Sequence, residues 1–189
     1  MPSQLQLVNR ALSELGRLPV TAINDSPDAL YVANKLDELF PEVLLEANWT
    51  WAIKYQRDDT PLTESITPDY TYTYQLPGDF GRFYRFASTG SQWPIYEFIN
   101  NYLCAQTKPI QYYYIVNQAS FQFLLPVFAR ALVLYVASMS APTLTNNVQL
   151  TAYLEKKYEK WLAKAILEND MRRSVVSTPY SDFDRLTYV

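Results

Sequence analysis

LLEANWTWAIKYQRD, residues 44–58, is where the reading of this chain turns. Up to Ala47 the apolar residues recur at helical spacing, and from about residue 52 they alternate as on a strand with one buried face. Trp49 and Trp51 stand at the change of period. Such a pair has two readings: a stacking platform for nucleic-acid bases or sugar rings, or packing at a joint. Residues two apart share a face on a strand and diverge on a helix. The pair is therefore expected to mark where a second helix hands over to a β section, and packing is the preferred reading.

Upstream, Ser26 and Pro27 match a helix cap followed by proline at the first helical position, with Asp28 near the positive end of the dipole. Leu30, Ala33, Leu36, Leu39 and Phe40 form one stripe, Pro41 is expected to kink or restart the helix, and Val43, Leu44 and Ala47 continue the face. Further upstream, Leu5, Val8, Leu12 and Leu15 give a first helix over residues 3–16, capped by Ser3 and ended by Gly16.

Downstream, Tyr70, Tyr72, Tyr74 and Leu76 are expected on one face of a strand, and Pro77, Gly78 and Asp79 supply turn chemistry. A strand through Phe83 and Phe86 follows, then a hairpin, WPIYEFINNYLCA, turning at Asn100 and Asn101, and a strand at 111–116. Helical spacing returns near Ser120. Phe128, Ala131, Leu132, Tyr135 and Val136 give a buried helix ending near Ala141 and Pro142. Asn146 or Asn147 then caps a last helix of about 30–35 Å, with Leu150, Tyr153, Leu154, Tyr158, Trp161, Leu162, Ala165 and Ile166 inward. From Asp170 the periodicity is lost, and the tail reads as an arm that docks on something. The expected fold is α+β: about four main helices forming a bundle, with an inserted small antiparallel β lobe and an extended C-terminal arm. Residues 1–51 and 117–169 form the helical body, 52–116 the lobe and 170–189 the arm.

The totals narrow the function. Hydrophobic residues make up 49% of the chain and charged residues 19%, which places it in the globular class. Sixteen tyrosines, nine phenylalanines and four tryptophans suit surfaces that meet other subunits. A net charge of −3 and a pI near 5.0 disfavour tight DNA binding, which calls for a basic surplus. The absence of histidine excludes a Ser/His/Asp or Cys/His site and a zinc site of the usual kind. The lone Cys104 excludes an intramolecular disulfide and reads as a small apolar strand residue. With four glycines and neither GxGxxG nor GxxxxGK[ST], nucleotide binding is not expected, and no cofactor or metal is implied. There is no secretory signal, and FLLPVFARALVLYVA, broken by Pro126 and Arg130, is too short for a bilayer, so a soluble cytosolic protein is expected.

Glycoside hydrolysis needs only two carboxylates, and Asp58, Asp59, Asp79 and Glu97 are the candidates, each with a plain alternative as a turn residue or solvated strand position. Glu155, Lys156, Lys157, Glu159, Lys160 and Lys164 read as the wet face of the last helix. Arg172 and Arg173 suit either DNA or an acidic partner, or the negative end of the helix dipole.

The order of these pieces is a first helix ending ALSELG, VLLEANWTWAIKYQRD, YTYQLPGDFGRFYRF, FARALVLYVASMSAPTLT and a long final helix. It resembles the tail tubular protein A family of short-tailed phages, related to their head-to-tail adaptors, over roughly residues 3–169. That family commonly has an imidazole and a proline before the first tryptophan and a phenylalanine after it. Here Ala47 and Asn48 precede Trp49, and Trp51 takes the second aromatic place. Leu76, Pro77 and Asp79 match the family turn, and Arg82 falls where arginine is frequent. With the two tryptophans these are the expected body-to-lobe packing residues.

The resemblance implies a non-enzymatic ring, commonly of twelve subunits, under the portal protein and above a tail nozzle similar to tail tubular protein B. It would close the DNA-filled capsid and form part of the ejection channel, passing DNA without sequence-specific binding. Its place would be the virion neck, reached from the host cytoplasm during assembly, with no membrane contact. In related adaptors the C-terminal segment reaches the portal. The expected docking residues are therefore Arg172, Arg173, Val175, Val176, Tyr180, Phe183, Leu186 and Tyr188. The alternatives are a virion-associated peptidoglycan hydrolase, or a connector or stopper at another level of the neck.

Overall fold

The computed structural model describes residues 2–87, 94–117, 121 and 124–172. The fold is α+β, with four helices and two small antiparallel sheets. The expected C-terminal arm lies outside the described residues, apart from its first few positions.

Helix α1, Gln4–Glu14, begins as its sequence requires: Ser3 Oγ accepts from the Gln6 amide and Gln6 Oε1 accepts from the Ser3 amide. It ends at Gly16, whose φ of 71° lets the Arg17 amide turn back to the Leu12 carbonyl. Helix α2, Pro27–Leu45, is capped by the Ser26 hydroxyl, which accepts from the Asp28 amide. The chain does not restart at Pro41: α2 runs through it. Proline removes one ladder bond, but Leu39, Phe40, Val43 and Leu44 are all buried, and that packing outweighs the lost bond.

After a single 3-10 turn at Thr50–Ala52, the chain forms β1 (Ile53–Asp58), β2 (Tyr72–Gln75), β3 (Phe80–Phe86), β4 (Tyr96–Ile99), β5 (Tyr102–Ala105) and β6 (Ile110–Val116). These build two sheets, ordered β1-β6-β3 and β2-β5-β4. The corner at Leu76–Asp79 carries the chain from one sheet to the other, where the Phe80 amide donates to the Pro77 carbonyl. Phe83 lies 5.6 Å from Tyr96 and 5.4 Å from Phe98, and Phe86 meets Tyr96 edge-on at 4.7 Å, so aromatic rings bridge the two sheets. The β4–β5 hairpin turns at Asn100, whose φ is 53°.

The alternation expected over residues 70–76 fails at one position. Thr73 is as fully buried as Tyr74, while Tyr72 is only partly so. The loop before β2 folds over this strand, with the Leu62 amide on the Thr73 carbonyl at 2.8 Å and Ser65 Oγ 3.2 Å from Thr73 Oγ1. A polar side chain can therefore face inward because its hydroxyl is satisfied there. Cys104 is buried on β5, as a small apolar residue is expected to be.

Helix α3, Pro126–Thr145, differs from its sequence reading at both ends. It starts at Pro126, where a missing N–H costs nothing, rather than near Ser120, which lies outside the described residues. It also passes through Pro142. Among the described helices α3 alone is long and apolar enough to cross a membrane, yet most of it is buried inside the protein and Arg130 is ion-paired to Glu14. The two asparagines divide the next corner. Asn146, at φ 50°, ends α3, and Asn147 caps helix α4, Val148–Met171, by accepting from the Leu150 amide at 3.1 Å. One apolar core runs from helices to sheets through Leu12, Leu36, Trp49, Tyr112, Phe128 and Leu132.

Candidate functional site

Of the residues singled out by the sequence, Trp49 and Arg82 meet at the C-terminal end of α2, and Leu76, Pro77 and Asp79 form the corner that leads into β3. Just past the Glu46 cap of α2 stands Ala47, not a glycine or asparagine that could close the helix carbonyls. Instead, Trp49 Nε1 donates to the Val43 carbonyl at 3.3 Å, and Arg82 Nε, from β3, donates to the Leu45 carbonyl at 3.2 Å. Side chains from beyond the helix satisfy its C-terminal end, and the guanidinium also complements the negative end of the dipole.

Trp49 is fully buried. Its ring meets Phe128 of α3 edge-on at 4.7 Å, and Trp51 meets the same phenylalanine at 5.1 Å. The pair therefore packs rather than presenting a stacking platform, as the preferred reading held. The shared face arises differently from expectation: a 3-10 turn at Thr50–Ala52, not a strand, aims both rings at α3.

On the β side, Leu76 is buried and its amide donates to the Asn101 carbonyl at 3.0 Å, tying the corner to the hairpin tip. Pro77 forms the corner itself. Asp79 accepts from the Tyr114 hydroxyl at 2.8 Å, is ion-paired to Lys54, and its carbonyl receives the Asn117 amide. The Lys54 hydrogen bond outweighs partial burial and holds the Asp79 carboxyl below its ordinary range. Gly81 lies at a break in the β3–β6 register; a Cβ there would sit 2.8 Å from the Ile115 carbonyl oxygen and 2.9 Å from Leu45 Cδ2. A methyl there would press on the backbone of β6, so the close approach of β3 to β6 depends on its absence.

Two groups that hold the helices in place, one at this junction and one away from it, were not legible as such in the sequence. Asn169, fully buried near the end of α4, accepts from the Thr50 amide at 2.8 Å and donates to the Asn48 carbonyl at 3.0 Å. It latches the last helix onto the turn that holds the tryptophans. Glu14, at the end of α1, accepts from Arg130 of α3 at 2.6 Å and Lys157 of α4 at 2.9 Å, so one carboxylate ties three helices.

Burial raises the Glu14 pKa, but the Lys157 hydrogen bond and the charges of Arg130 and Lys157 outweigh it, leaving the carboxyl below its ordinary range. A depressed pKa contributes stability that is complete above the unfolded-state value and is lost as pH falls through the folded-state value. Glu14→Gln is therefore expected to destabilise the protein by about 1–2 kcal/mol at neutral pH. It should also flatten the fall in stability between about pH 5 and 3. Urea unfolding across that range measures both; parallel curves for variant and wild type would refute the assignment.

The candidate carboxylates are occupied by neighbours. Asp59 pairs with Arg57, and Asp58 accepts from Gln56 and, at 3.5 Å, from the Tyr112 hydroxyl. Glu97 is exposed on β4, where its charge adds to burial in raising the Tyr70 pKa. Burial, then the neighbouring carboxylates, raise the pKa values of Tyr112 and Tyr114, which keeps them neutral donors. Asp58 and Asp79 thus each accept from a tyrosine hydroxyl of β6, those of Tyr112 and Tyr114. Among the described residues no group of three or more metal-ligating side chains occurs.

Arg172 pairs with Glu168 one turn back, at 2.8 Å, and caps α4, which fits the helix-end reading of that residue. Arg173, Val175, Val176, Tyr180, Phe183, Leu186 and Tyr188 lie outside the described residues. No protein-family model and no curated protein matches the chain.

Proposed function

We propose that this protein is a structural, non-enzymatic head-to-tail connector of a short-tailed phage. It assembles into a ring, of twelve copies on the family pattern, between the portal and the tail nozzle. The ring closes the filled capsid and forms part of the ejection channel. Assembly takes place in the host cytoplasm, and the finished protein resides in the virion neck.

The observation that carries this reading is the state of α4. Over its 24 residues only Leu154, Ala165 and Asn169 are buried. Trp161, Leu162 and Ile166 are half-covered, while Tyr153 and Leu167 remain 59% and 57% exposed. A long stiff helix with an incompletely covered apolar flank suits a contact between neighbouring copies, and head-to-tail contacts close into a ring when the rotation per subunit divides the circle. The motif order shared with the tail tubular protein A family adds direction to that inference. A net charge of −3, repeated around a channel, favours passage of DNA over capture.

Native mass spectrometry of the protein alone and mixed with its portal tests the proposal. The expected result is a closed multimer joined to the portal ring, and failure to join a portal under any ionic condition would overturn it. Deletion of residues 171–189 is expected to leave a folded protein whose portal binding is reduced by at least about a hundredfold, because many arms act together at high effective concentration. Undiminished binding would assign the arm another role.

A further inference from the structure

The sheet formed by β1, β6 and β3 has one face turned into the core, carrying Tyr112 and Tyr114; the other is covered at Ile115, which is fully buried, and opens outward at its Tyr113 end. The outward face carries an aromatic and cationic ladder across all three strands. Tyr55 and Tyr113 are register partners with ring centroids 5.4 Å apart, and the Tyr55 hydroxyl donates to Gln111 at 2.7 Å. The Arg85 guanidinium lies 4.3 Å over the Tyr113 ring. Tyr55 is 49% exposed, and Arg85 and Arg57 are exposed as well. Tyrosine and arginine dominate recognition surfaces, and a guanidinium held flat on a ring keeps its planar fork of donors set for a carboxylate. The one acidic group paired here, Asp59 with Arg57, belongs to an exposed ion pair of the kind that is readily exchanged.

We propose that this outward sheet face is the docking site for a segment of the same chain, the tract YSDFD at residues 180–184. The tract carries two carboxylates, Asp182 and Asp184, and no basic residue. In an extended segment Tyr180, Asp182 and Asp184 fall on one side, about 6.6 Å apart, presenting a ring followed by two carboxylates to a surface of rings and guanidinia. The reach is sufficient. Asn169 fixes the end of α4 at Thr50. From Thr50 to Arg57 is at most about 25 Å, the step from Thr50 through Asn169 to Arg172 adds about 10 Å, and from Arg172 to Asp184 the chain extends to about 40 Å. Docked in this way, the arm is withheld from other partners until one of them displaces it. The inference stands on the sheet face and the tract alone and does not depend on the connector reading.

Hydrogen-exchange mass spectrometry on the full chain tests it. Amides of residues 180–186 are expected to exchange at least about tenfold more slowly than an unstructured peptide. The protection should vanish in Arg57→Glu/Arg85→Glu. It should vanish equally in Asp182→Lys/Asp184→Lys, whose changes lie in the tail and leave the sheet intact, and it should return when the two pairs are combined. Unprotected rates in the wild type would overturn the proposal, as would protection that survives both variants. Protection that falls on hundredfold dilution would mean that a second copy supplies the tract, which also overturns docking within one chain.

Discussion

Trp49→Ala is expected to lower the unfolding free energy by about 3–5 kcal/mol, the range for removing a large aromatic from a packed core. Three losses combine. The indole is fully buried, it meets Phe128 edge-on at 4.7 Å, and its N–H caps the Val43 carbonyl at the end of α2. The cavity left between α2 and α3 has little means of collapse, because Trp51 already occupies another side of the same phenylalanine. For a chain of this length each kcal/mol moves the melting temperature by about 2–4 °C, so a fall of roughly 10 °C is expected by calorimetry. An unchanged transition would mean that the junction contributes nothing to global stability.

Asn169→Ala should cost about 2–4 kcal/mol, although it removes only a small polar side chain. Its loss strands the Thr50 amide and the Asn48 carbonyl, both of which it now satisfies at 2.8 and 3.0 Å. Unsatisfied buried backbone groups are expensive, and water has poor access to a residue with no exposed surface. Asn169→Asp is the informative companion. It keeps the acceptor for Thr50, loses the donor to Asn48, and buries a charge, so it should fall at least as far at neutral pH and recover part of the loss in mild acid. Equal stability of Asn169→Ala and wild type in urea would refute the latch.

Much of the architecture was legible because local chemistry and tertiary packing agree. Ser3, Ser26, Gly16 and Asn100 each do what their side chain or backbone freedom favours. The misreadings occur where burial overrides a local rule. Local chemistry favours a kink or restart at Pro41 and a helix end near Pro142, yet Pro41 lies between the buried Phe40 and Val43, and Pro142 follows the buried Ala141 with Leu144 packed on the core. Alternation puts Thr73 on the face opposite Tyr72 and Tyr74, and a loop from an earlier part of the chain covers it.

The candidate site was legible in part. Trp49 and Arg82 converge on the end of α2, while Asp79 ties the corner before β3 to Tyr114 of β6. Asn169 was hidden in the tract LEND, which reads as a wet helix end. Its one signal was position: four residues past Ala165, it continues the inner stripe of α4, where a polar residue needs a reason. Glu14 gave no comparable warning, because its partners lie 116 and 143 residues away.

The Asn169 latch also sets an order of events in time. Its partners Asn48 and Thr50 leave the ribosome early, while the residue that closes over them follows 119 positions after Thr50. Synthesis proceeds from the N-terminus, so α1, α2 and both sheets can settle while that turn is still hydrated. The last turn of α4 then seals it as a final step. A ribosome stalled before residue 169 would hold a nascent chain with its tryptophan corner still open to water.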